Sequence, residues 1–424
     1  MTDSYDVIVV GGGTSGLMAA VTAAQNGAKV LLLEKNPSLG KKMLLTGGTR
    51  CNVTNARPAE EIIAHIPGNG RFLYSAFSQY NNHDIIDFFQ SRGVALKEED
   101  HGRLFPTTDS AKTILEAFIK EIKKLGVSVR TNVQVKKLLV ANQQVTGVLL
   151  DNGEALTATS VILAMGGKSY PKTGSTGDGY ALARSAGHTI TPLFATEVPL
   201  TSDEAFIADK NLRALSLRDI ALSVLNKKGK AVVTHQMDMI FTHFGISGPA
   251  VLRCSSFVYQ IQQREVTKEV TMHLDLLPNR SLGSLAQEWQ AWLKESPQRA
   301  VKTFLKEWMP ERYAEFLLNR LDLPLQLPIN QVTKPQEEAL LGLIKGFTFT
   351  VNGSLPIEKG FVTGGGVSTK EVDPKTMGSK KVSGLYFCGE LLDIHGYTGG
   401  YNITAAFVTG HTAGQHAAWT SLKI

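Results

Sequence analysis

The chain begins with an apolar segment, residues 5–10, that a cluster of glycines follows at once. Such a nearly unbroken apolar, β-prone run is typical of a strand that is buried on both faces. In residues 17–26 the pattern becomes helical, and Gly27 is placed to end that helix. A second short apolar run, residues 29–33, leads to Glu34. The pattern therefore predicts a strand, a turn, a helix and a second strand in that order.

The pattern changes its character twice along the chain. Residues 111–125 have helical spacing, and strand-like runs after them suggest that the first fold continues to about Gly187. In residues 198–277 short β-like runs alternate with turns, which favours a compact β barrel or sandwich. Residues 282–321 are helical again and hold three of the four tryptophans. A small helical core explains those tryptophans better than an aromatic wall that grips a substrate.

The first turn has the form G-x-G-x-x-G. Gly11 permits the tight turn, Gly13 lets the backbone approach a pyrophosphate, and Gly16 lets the next helix pack close to the strand. The first N–H groups of that helix have no partner within it and favour phosphates. Glu34 follows at about the 20-residue distance expected of an acid that binds a ribose, and its charge would repel a 2′-phosphate. The segment therefore predicts a site for FAD or NAD rather than NADP.

A second segment separates FAD from NAD. The buried strand-like run 385–388 ends at Gly389 and Glu390, and a helical run over residues 402–418 follows a turn-rich stretch. An acid at such a strand end can accept hydrogen bonds from ribityl hydroxyls, while the helix N-terminus stabilises a reduced flavin ring. NAD has no use for this second site, so FAD is the favoured cofactor.

Long motifs lie at residues 46–52, 166–171, 174–179, 242–249 and 396–402. In sequence and order these motifs resemble those of the YhiN/BaiN-like bacterial FAD-dependent oxidoreductases. The resemblance covers nearly the whole chain and implies an α/β protein with a discontinuous Rossmann-type FAD-binding domain, a β-barrel-like insert and a small helical insert. The expected division is 1–195 and 351–424 for the FAD-binding domain, 196–278 and 328–350 for the β-barrel-like insert, and 279–327 for the helical insert.

The resemblance also implies cofactor contacts. Glu34 and Lys35 would bind the adenosine ribose, Val135 the adenine through its backbone, and the loop of residues 41–52 the ribityl chain and flavin. The full expected set is Gly11, Gly13, Thr14, Ser15, Gly16, Glu34, Lys35, Lys42, Gly48, Arg50, Cys51, Asn52, Val135, Ala164, Gly166, Gly389, Glu390, Asn402 and Ile403. Two departures from the family stand out, because Thr49 replaces a flexible glycine and Thr404-Ala405 replaces a Gln-Trp pair.

Three residues are candidates for acid, base or substrate-binding work, namely His243, Tyr170 and Arg50. His243 could supply a proton near neutral pH, or it could be a core residue of an apolar segment. The Tyr170 hydroxyl could face the cofactor from a glycine-rich turn. Arg50 could bind an anionic substrate, a phosphate or a reduced flavin, or form a structural ion pair. Cys51 is expected to be a packing residue, since the three cysteines contain no C-x-x-C pair.

Composition narrows the partners. The net charge of +6 comes from scattered basic residues, and the densest cluster, residues 227–230, is best explained as a solvated hairpin turn. A small-molecule substrate is therefore favoured over nucleic acid, and the short apolar runs favour a cytoplasmic protein without a membrane span. No metal site is expected. The pattern leaves the oligomeric state open.

The sequence favours an FAD-dependent oxidoreductase that takes electrons from NAD(P)H and reduces a small organic substrate through a hydride at flavin N5. The resemblance permits steroid-type double-bond reduction or the oxidation of a small amine such as aminoacetone. A flavin-binding protein that acts on RNA is a further alternative. An NAD-only dehydrogenase is the third class.

Overall fold

The computed structural model describes residues 4–209 and 211–423. They form two compact units. The first contains the described residues up to Phe194 and from Ile357 onward, and the second is Ala195–Pro356. The chain therefore leaves the first unit once and returns to it. The expected division into separate β-barrel-like and helical inserts stays a prediction.

Strands and helices both occur along the whole chain. The strands are β1 (Ser4–Val10), β2 (Val30–Leu33), β3 (Thr54–Asn55), β4 (Leu96–Glu99), β5 (Arg103–Pro106), β6 (Ser128–Arg130), β7 (Val135–Ala141), β8 (Gln144–Leu150), β9 (Ala155–Leu163), β10 (Phe194–Thr196), β11 (Leu200–Thr201), β12 (Ser216–Leu225), β13 (Ala231–Phe241), β14 (Gly245–Ser247), β15 (Val270–Asp275), β16 (Phe347–Val351), β17 (Gly353–Ser354), β18 (Val362–Gly364) and β19 (Leu385–Phe387). The α-helices are α1 (Thr14–Gln25), α2 (Ala59–Ala64), α3 (Tyr74–Phe77), α4 (Asn82–Gln90), α5 (Ala111–Lys124), α6 (Asp178–Ser185), α7 (Ala205–Ala208), α8 (Pro249–Glu265), α9 (Leu282–Glu295), α10 (Val301–Trp308), α11 (Glu311–Arg320), α12 (Lys334–Gly346) and α13 (Tyr401–Leu422).

The main sheet of the first unit has a parallel core. Strand β1 pairs in parallel with β2 and β9, β2 pairs with β6, and β19 pairs with the end of β9. The hairpin β7–β8 adds an antiparallel layer beside the start of β9. Val10 and Phe387 both pair with Leu163, so the carboxyl ends of β1, β9 and β19 lie side by side. In open α/β sheets, ligands bind at this edge.

Helices α1 and α13 cover one another closely. A Cβ on Gly410 would overlap the carbonyl oxygen of Ser15, and a Cβ on Gly414 would overlap that of Ala19. The two glycines stand four positions apart on one helix face, so the backbones can approach more closely than larger side chains would permit. This packing fixes the start of α1 against the second half of the unit.

The second unit contains a seven-stranded sheet in the order β16, β15, β12, β13, β14, β11, β17. Its two outermost strands, β16 and β17, are consecutive in the chain and only Asn352 separates them. The Asn352 N–H donates to the Thr201 carbonyl in β11, and the Ser202 hydroxyl donates to the Thr350 carbonyl in β16. The sheet therefore curls until its edges meet, which is a barrel-like arrangement.

Helices α8 to α12 share one hydrophobic core with this sheet. Leu285, Trp289 and Trp292 of α9 are buried there, together with Val301, Phe304 and Leu305 of α10. The indole rings of Trp292 and Trp308 lie 4.4 Å apart between centroids. The tryptophans therefore pack as a core, as the helical spacing indicated. Leu282, the first residue of the same stripe, is exposed.

Two differences from the sequence pattern have local causes. Residues 127–139 form two strands, β6 and β7, because Asn132 between them adopts a left-handed conformation with φ of 57°. Helix α8 interrupts the run of β-like segments, and it begins at Pro249, a residue that suits the first position of a helix. Among residues 4–209 and 211–423, no helix is long and apolar enough to span a membrane.

Candidate functional site

The glycine turn after β1 has the geometry of a phosphate cradle. Gly11 has φ of 110°, and a Cβ on it would overlap the Ala164 carbonyl. A Cβ on Gly16 would overlap the carbonyl of Gly11, so only glycine lets α1 approach the strand. A Cβ on Gly13 would have no atom of the described chain within 4 Å. The backbone is therefore closely packed at Gly11 and Gly16, whereas the space beside Gly13 is open. This space lies in front of the α1 N-terminus.

The first turn of α1 is free to meet an anion. Helix α1 begins at Thr14 after Gly13, no side chain caps its N-terminus, and its first turn holds no acidic residue. Ser15 is buried, while Thr14 is partly exposed. The unsatisfied N–H groups and the positive end of the helix dipole therefore face the opening beside Gly13.

Glu34 is buried at the end of β2 and is held from both sides. Its Oε2 accepts the Gly12 N–H at 2.7 Å. Its Oε1 accepts the Asn36 N–H at 2.8 Å and the Asn36 side-chain amide at 2.7 Å. A carboxylate has about four acceptor sites, so these three donors leave capacity for one more, such as a ribose hydroxyl.

Lys35 and Val135 lie near this end of the site in different ways. The Lys35 ammonium pairs with Asp178 at 2.7 Å, so its charge is directed to the start of α6. Val135 is buried at the start of β7, two positions after Val133, whose N–H donates to the Glu34 carbonyl. The backbone at Val135 is thereby tied to the strand end that carries Glu34.

The second segment comes directly to the glycine turn. A Cβ on Gly389, which has φ of 69°, would overlap the Ser15 hydroxyl. The Gly389 N–H donates to the Thr409 hydroxyl in α13 at 2.9 Å. Ala164 is buried between the two segments, and Gly166 with φ of 71° follows it. Residues from opposite ends of the sequence therefore form one site.

Glu390 is the centre of a polar network. Its Oε2 accepts from the Lys42 ammonium at 2.6 Å, and its Oε1 accepts from the Thr363 N–H at 2.8 Å and the Ser169 hydroxyl at 3.1 Å. Burial alone would raise the pKa of Glu390, but Lys42 and the Thr363 hydrogen bond outweigh it and hold that pKa below its ordinary value. Glu390 is therefore a carboxylate at neutral pH.

The loop of residues 41–52 is strongly bent. Gly47, Gly48, Thr49 and Cys51 all have positive φ, from 57° to 71°. Thr49 is the position where the family resemblance predicted glycine, and a β-branched residue is strained in this conformation. Gly48 is exposed, and a Cβ on it would have no atom of the described chain within 4 Å.

Arg50 is engaged in an ion-pair cluster. Its guanidinium donates to both carboxylate oxygens of Glu99, at 2.8 and 3.1 Å, and to Asp109 at 3.3 Å. It also stacks 4.1 Å from the centre of the Phe105 ring. The hydrogen bond to Glu99 raises the pKa of Arg50, and the opposite effect of burial on that pKa is smaller. The same hydrogen bond lowers the pKa of Glu99. Of the alternatives for Arg50, the structure shows the ion pair.

Cys51 and Asn52 end the loop in the interior. Cys51 is fully buried, and burial raises the pKa of its thiol to about 12. The Asn52 side-chain oxygen is buried and accepts no hydrogen bond from the described part of the chain. It faces Gly400, where a Cβ would lie 3.1 Å away, directly before α13. A buried acceptor without a partner costs free energy, so this atom marks a position where a ligand donor fits.

The start of α13 is shaped by Asn402. Its amide donates to the carbonyls of Gly396 and Tyr397, and its side-chain oxygen accepts the Gly396 N–H. No side chain caps the helix, which begins at Tyr401 and has no acidic residue in its first turn. The N–H groups near Ile403 therefore supply the positive end of a helix dipole.

The remaining two catalytic candidates lie in different units. Tyr170 is in the first unit, directly after Ser169 of the Glu390 network, and has φ of 54°. His243 is in the second unit, exposed in the turn between β13 and β14. The core alternative for His243 is therefore wrong, because the apolar run ends at Phe241 and the turn carries the imidazole to the surface.

Comparison with known proteins identifies the family. A model of the HI0933-like protein Rossmann domain matches residues 5–416. This chain belongs to the HI0933-like family.

Two relatives match over nearly their full lengths. The chain is 32% identical to a 3-dehydro-bile acid delta(4,6)-reductase of Clostridium scindens, over 97% of this chain and 98% of the relative. It is also 32% identical, with the same coverage, to a ribosomal RNA dihydrouridine synthase of Escherichia coli. Among solved structures, 3-ketosteroid delta1-dehydrogenase from Sterolibacterium denitrificans covers 98% of the chain with a TM-score of 0.53 and 14% identity. At this low sequence identity, the similarity to the dehydrogenase shows a shared fold only.

The HI0933-like chain is an FAD-dependent oxidoreductase. Its residues fit that cofactor on three observations. Gly13 opens onto free space, the starts of α1 and α13 have no side-chain cap, and the Asn52 oxygen has no partner among the described residues. A dinucleotide offers phosphates to a helix N-terminus and donors to a buried acceptor.

Several residues of this HI0933-like site were absent from the sequence prediction. Asn36, Thr363 and Thr409 hold Glu34, Glu390 and Gly389 in place. Thr363 lies directly before the Gly364-Gly365-Gly366 run, which was the only signal for it. The other two stand in segments that carry no motif of their own.

Proposed function

We propose that this enzyme reduces a carbon–carbon double bond that is conjugated to a carbonyl group, with NAD(P)H as the reductant. The structural observation that carries the proposal is the contact of Gly389 with Ser15 of the glycine turn, which supports FAD in its full dinucleotide form. When bound, FAD supplies the hydride-transfer chemistry. The chain's own residues have to hold the cofactor, orient the acceptor and deliver one proton.

The residues that would hold the cofactor divide by segment. Gly11, Gly13, Thr14, Ser15 and Gly16 would bind the pyrophosphate, Glu34 and Lys35 the ribose, and Val135 the adenine. Lys42, Gly48, Arg50, Cys51, Asn52, Ala164, Gly166, Gly389, Glu390, Asn402 and Ile403 would surround the ribityl and flavin end. Of these, Arg50 acts through its ion pair with Glu99, and Cys51 through packing.

The double-bond chemistry is supported by the names of two relatives of equal identity. A bile acid delta(4,6)-reductase and a dihydrouridine synthase both name the saturation of a double bond in a ring that bears a carbonyl group. Reduction adds one hydride and one proton across such a bond, while NAD(P)H becomes NAD(P)⁺. The two named substrates differ in size. We therefore propose for this enzyme only the chemistry that they share, which is the reduction of a double bond in a ring that bears a carbonyl group.

RNA as the substrate is the second candidate, on one specific observation. The hairpin after β12 presents Lys227, Lys228 and Lys230 to solvent, and Arg264 at the end of α8 lies beside it, since Glu265 accepts the Lys227 N–H. Such a cluster suits a phosphate backbone. A small carbonyl compound needs no basic surface of this kind.

An anaerobic experiment tests the proposal in two steps. The purified holoenzyme is mixed with NADH, NADPH or aminoacetone, and bleaching of the flavin absorbance is followed. The reduced enzyme is then mixed with cyclohexenone or with an unmodified ribosomal RNA transcript, and recovery of the absorbance is followed. We expect bleaching by a nicotinamide donor and recovery with one of the two acceptors.

The controls separate the alternatives. Gly13→Ala, which we expect to keep the fold and to bind FAD more weakly, shows through its product formation whether the activity depends on the flavin. Bleaching by aminoacetone alone would identify an amine oxidase and contradict the reductase proposal. Recovery with the transcript alone would select the RNA candidate.

A further inference from the structure

Two aromatic side chains, Tyr170 and Phe361, lie side by side next to the Glu390 network. The ring centroids of Tyr170 and Phe361 lie 6.0 Å apart, and the two ring planes make an angle of 40°. Phe361 is 46% exposed, so its ring is accessible to a ligand. Both residues belong to the first compact unit.

Tyr170 and Phe361 both lie next to Ser169, which contacts Glu390. Ser169 is fully buried, and its hydroxyl contacts Lys42 and Glu390. Tyr170 follows Ser169 in the chain, and the Phe361 carbonyl oxygen lies 3.4 Å from the same Ser169 hydroxyl oxygen. Both aromatic residues are therefore attached, through one serine, to the carboxylate expected at the ribityl end of the cofactor.

A second anchor comes from Thr363, two positions after Phe361. Its N–H donates to Glu390, and its hydroxyl accepts the N–H groups of Lys168 and Ser169 at 2.8 and 3.1 Å. The segments before Tyr170 and after Phe361 are thus bonded to each other as well as to Glu390. This double attachment keeps the aromatic pair at a fixed place relative to the network.

Tyr170 is also strained. It has φ of 54° and ψ of 58°, a conformation that bulky residues rarely adopt, and its carbonyl accepts from the Thr173 N–H and hydroxyl. Its own hydroxyl makes no hydrogen bond to the described part of the chain. Strain of this kind persists where the surroundings impose it, and it concentrates at ligand-binding positions.

We propose that Tyr170 and Phe361 form a stacking platform for the planar, carbonyl-bearing ring of the acceptor, with the Tyr170 hydroxyl as a donor to its carbonyl oxygen. The assignment of a ring substrate rests on the proposed function. Aromatic faces bind flat conjugated rings by stacking, and a phenol supplies a polar contact at the edge. The same chemistry describes a free cyclic enone and a uracil base in RNA.

Substitutions of Phe361 test the platform in the holoenzyme. Phe361→Leu keeps an apolar side chain at an exposed position, and Phe361→Tyr keeps the ring. Tyr74→Leu is the matched control, because Tyr74 is similarly exposed on helix α3. Base stacking on an aromatic side chain is weakened about 5- to 100-fold when the ring is removed. We therefore expect Phe361→Leu to raise the KM for the acceptor by that factor, with Phe361→Tyr and Tyr74→Leu close to the parent.

Two readouts make the failures distinguishable. Flavin bleaching by NAD(P)H measures the donor step, and recovery of the absorbance with cyclohexenone or with a uridine-containing oligoribonucleotide measures the acceptor step. A raised KM for either acceptor in Phe361→Leu, with unchanged bleaching, supports the platform and identifies the source of the ring. An unchanged KM in both Phe361→Leu and Tyr170→Leu, or an equal rise in Tyr74→Leu, would overturn the platform alone. A parent enzyme that accepts neither probe would overturn the proposed function and the platform with it.

Discussion

The ammonium of Lys42 lies 2.6 Å from the Glu390 carboxylate, although 348 positions separate the two residues in the sequence. The contact joins the bent loop after β2 to the turn after β19. Both side chains are more than two-thirds covered, so water screens this ion pair only in part. The pair therefore links the two halves of the proposed cofactor site.

We predict that Lys42→Met lowers the free energy of unfolding at pH 7 by about 1–3 kcal/mol, because a mostly covered carboxylate loses its cation. The pKa of Glu390 is lowered in the folded state, so its contribution is present above the ordinary carboxyl pKa and is lost as pH falls through the lowered value. The difference between variant and parent should therefore shrink toward pH 3. Urea unfolding at both pH values measures it, and Lys42→Arg is the control that keeps the charge. An equal difference at both pH values would contradict the ion-pair explanation.

Two glycines of the first turn should behave oppositely when changed to alanine. A Cβ on Gly13 meets open space and φ is −84°, so Gly13→Ala should keep the free energy of unfolding of the apoprotein within about 1 kcal/mol of the parent. The methyl group would occupy the space for the pyrophosphate, and FAD affinity should fall at least about tenfold. Gly16→Ala would overlap the Gly11 carbonyl and should destabilise the apoprotein itself. Thermal unfolding and fluorescence titration with FAD separate the two effects, and a stable Gly16→Ala apoprotein would contradict the packing argument.

The cysteines should be inert in the native enzyme. Cys51, Cys254 and Cys388 are all fully buried, and burial raises the pKa of each thiol, to about 12 for Cys51 and Cys388. Because the thiolate is the reactive form, iodoacetamide at pH 8 should label none of them until the protein unfolds. Mass spectrometry of the labelled native and urea-unfolded protein measures this. Rapid labelling of native Cys51 would contradict the packing role and favour a redox role.

Arg50 should order its loop rather than bind a substrate. We expect Arg50→Gln and Glu99→Gln each to increase hydrogen exchange of the loop of residues 41–52. The effect of the double variant should be smaller than the sum of the two single effects, since both single variants lose the same Arg50–Glu99 contact. The pKa of Glu99 is lowered, so this ordering should be present above the ordinary carboxyl pKa and be lost as pH falls through the lowered value. Arg218→Gln, which breaks an exposed pair with Asp238, is the matched control. If the loop of residues 41–52 exchanges no faster in either variant than in the parent, the ordering role of Arg50 would be contradicted.

The sequence predicted the parts of the fold that local pattern controls. The strand, glycine turn and helix at residues 5–26 and the strand before Gly389 lie where the pattern placed them. Helix α12 was missed, although Thr333 and Gln336 form a capping box at its start, which is a readable signal. The expected β-barrel-like insert over residues 328–350 includes no helix there.

The network around Glu390 could not be predicted from local pattern. Lys42, Ser169 and Thr363 come from three distant segments, and each is an ordinary polar residue in its own surroundings. Thr49 and Tyr170 are still harder to predict, because they adopt a left-handed backbone conformation that residues of their types rarely adopt. Such positions depend on tertiary contacts, and they concentrate where the cofactor and substrate are proposed to bind.

The most direct test of the account is a titration of the anaerobically NAD(P)H-reduced enzyme with cyclohexenone, followed by the flavin absorbance and by the mass of the product. The account predicts that one equivalent of acceptor per FAD restores the oxidised spectrum and that the product carries two additional hydrogens. If the enzyme stays reduced with both cyclohexenone and a uridine-containing RNA, or if only an amine bleaches the flavin, the proposed double-bond reduction is contradicted.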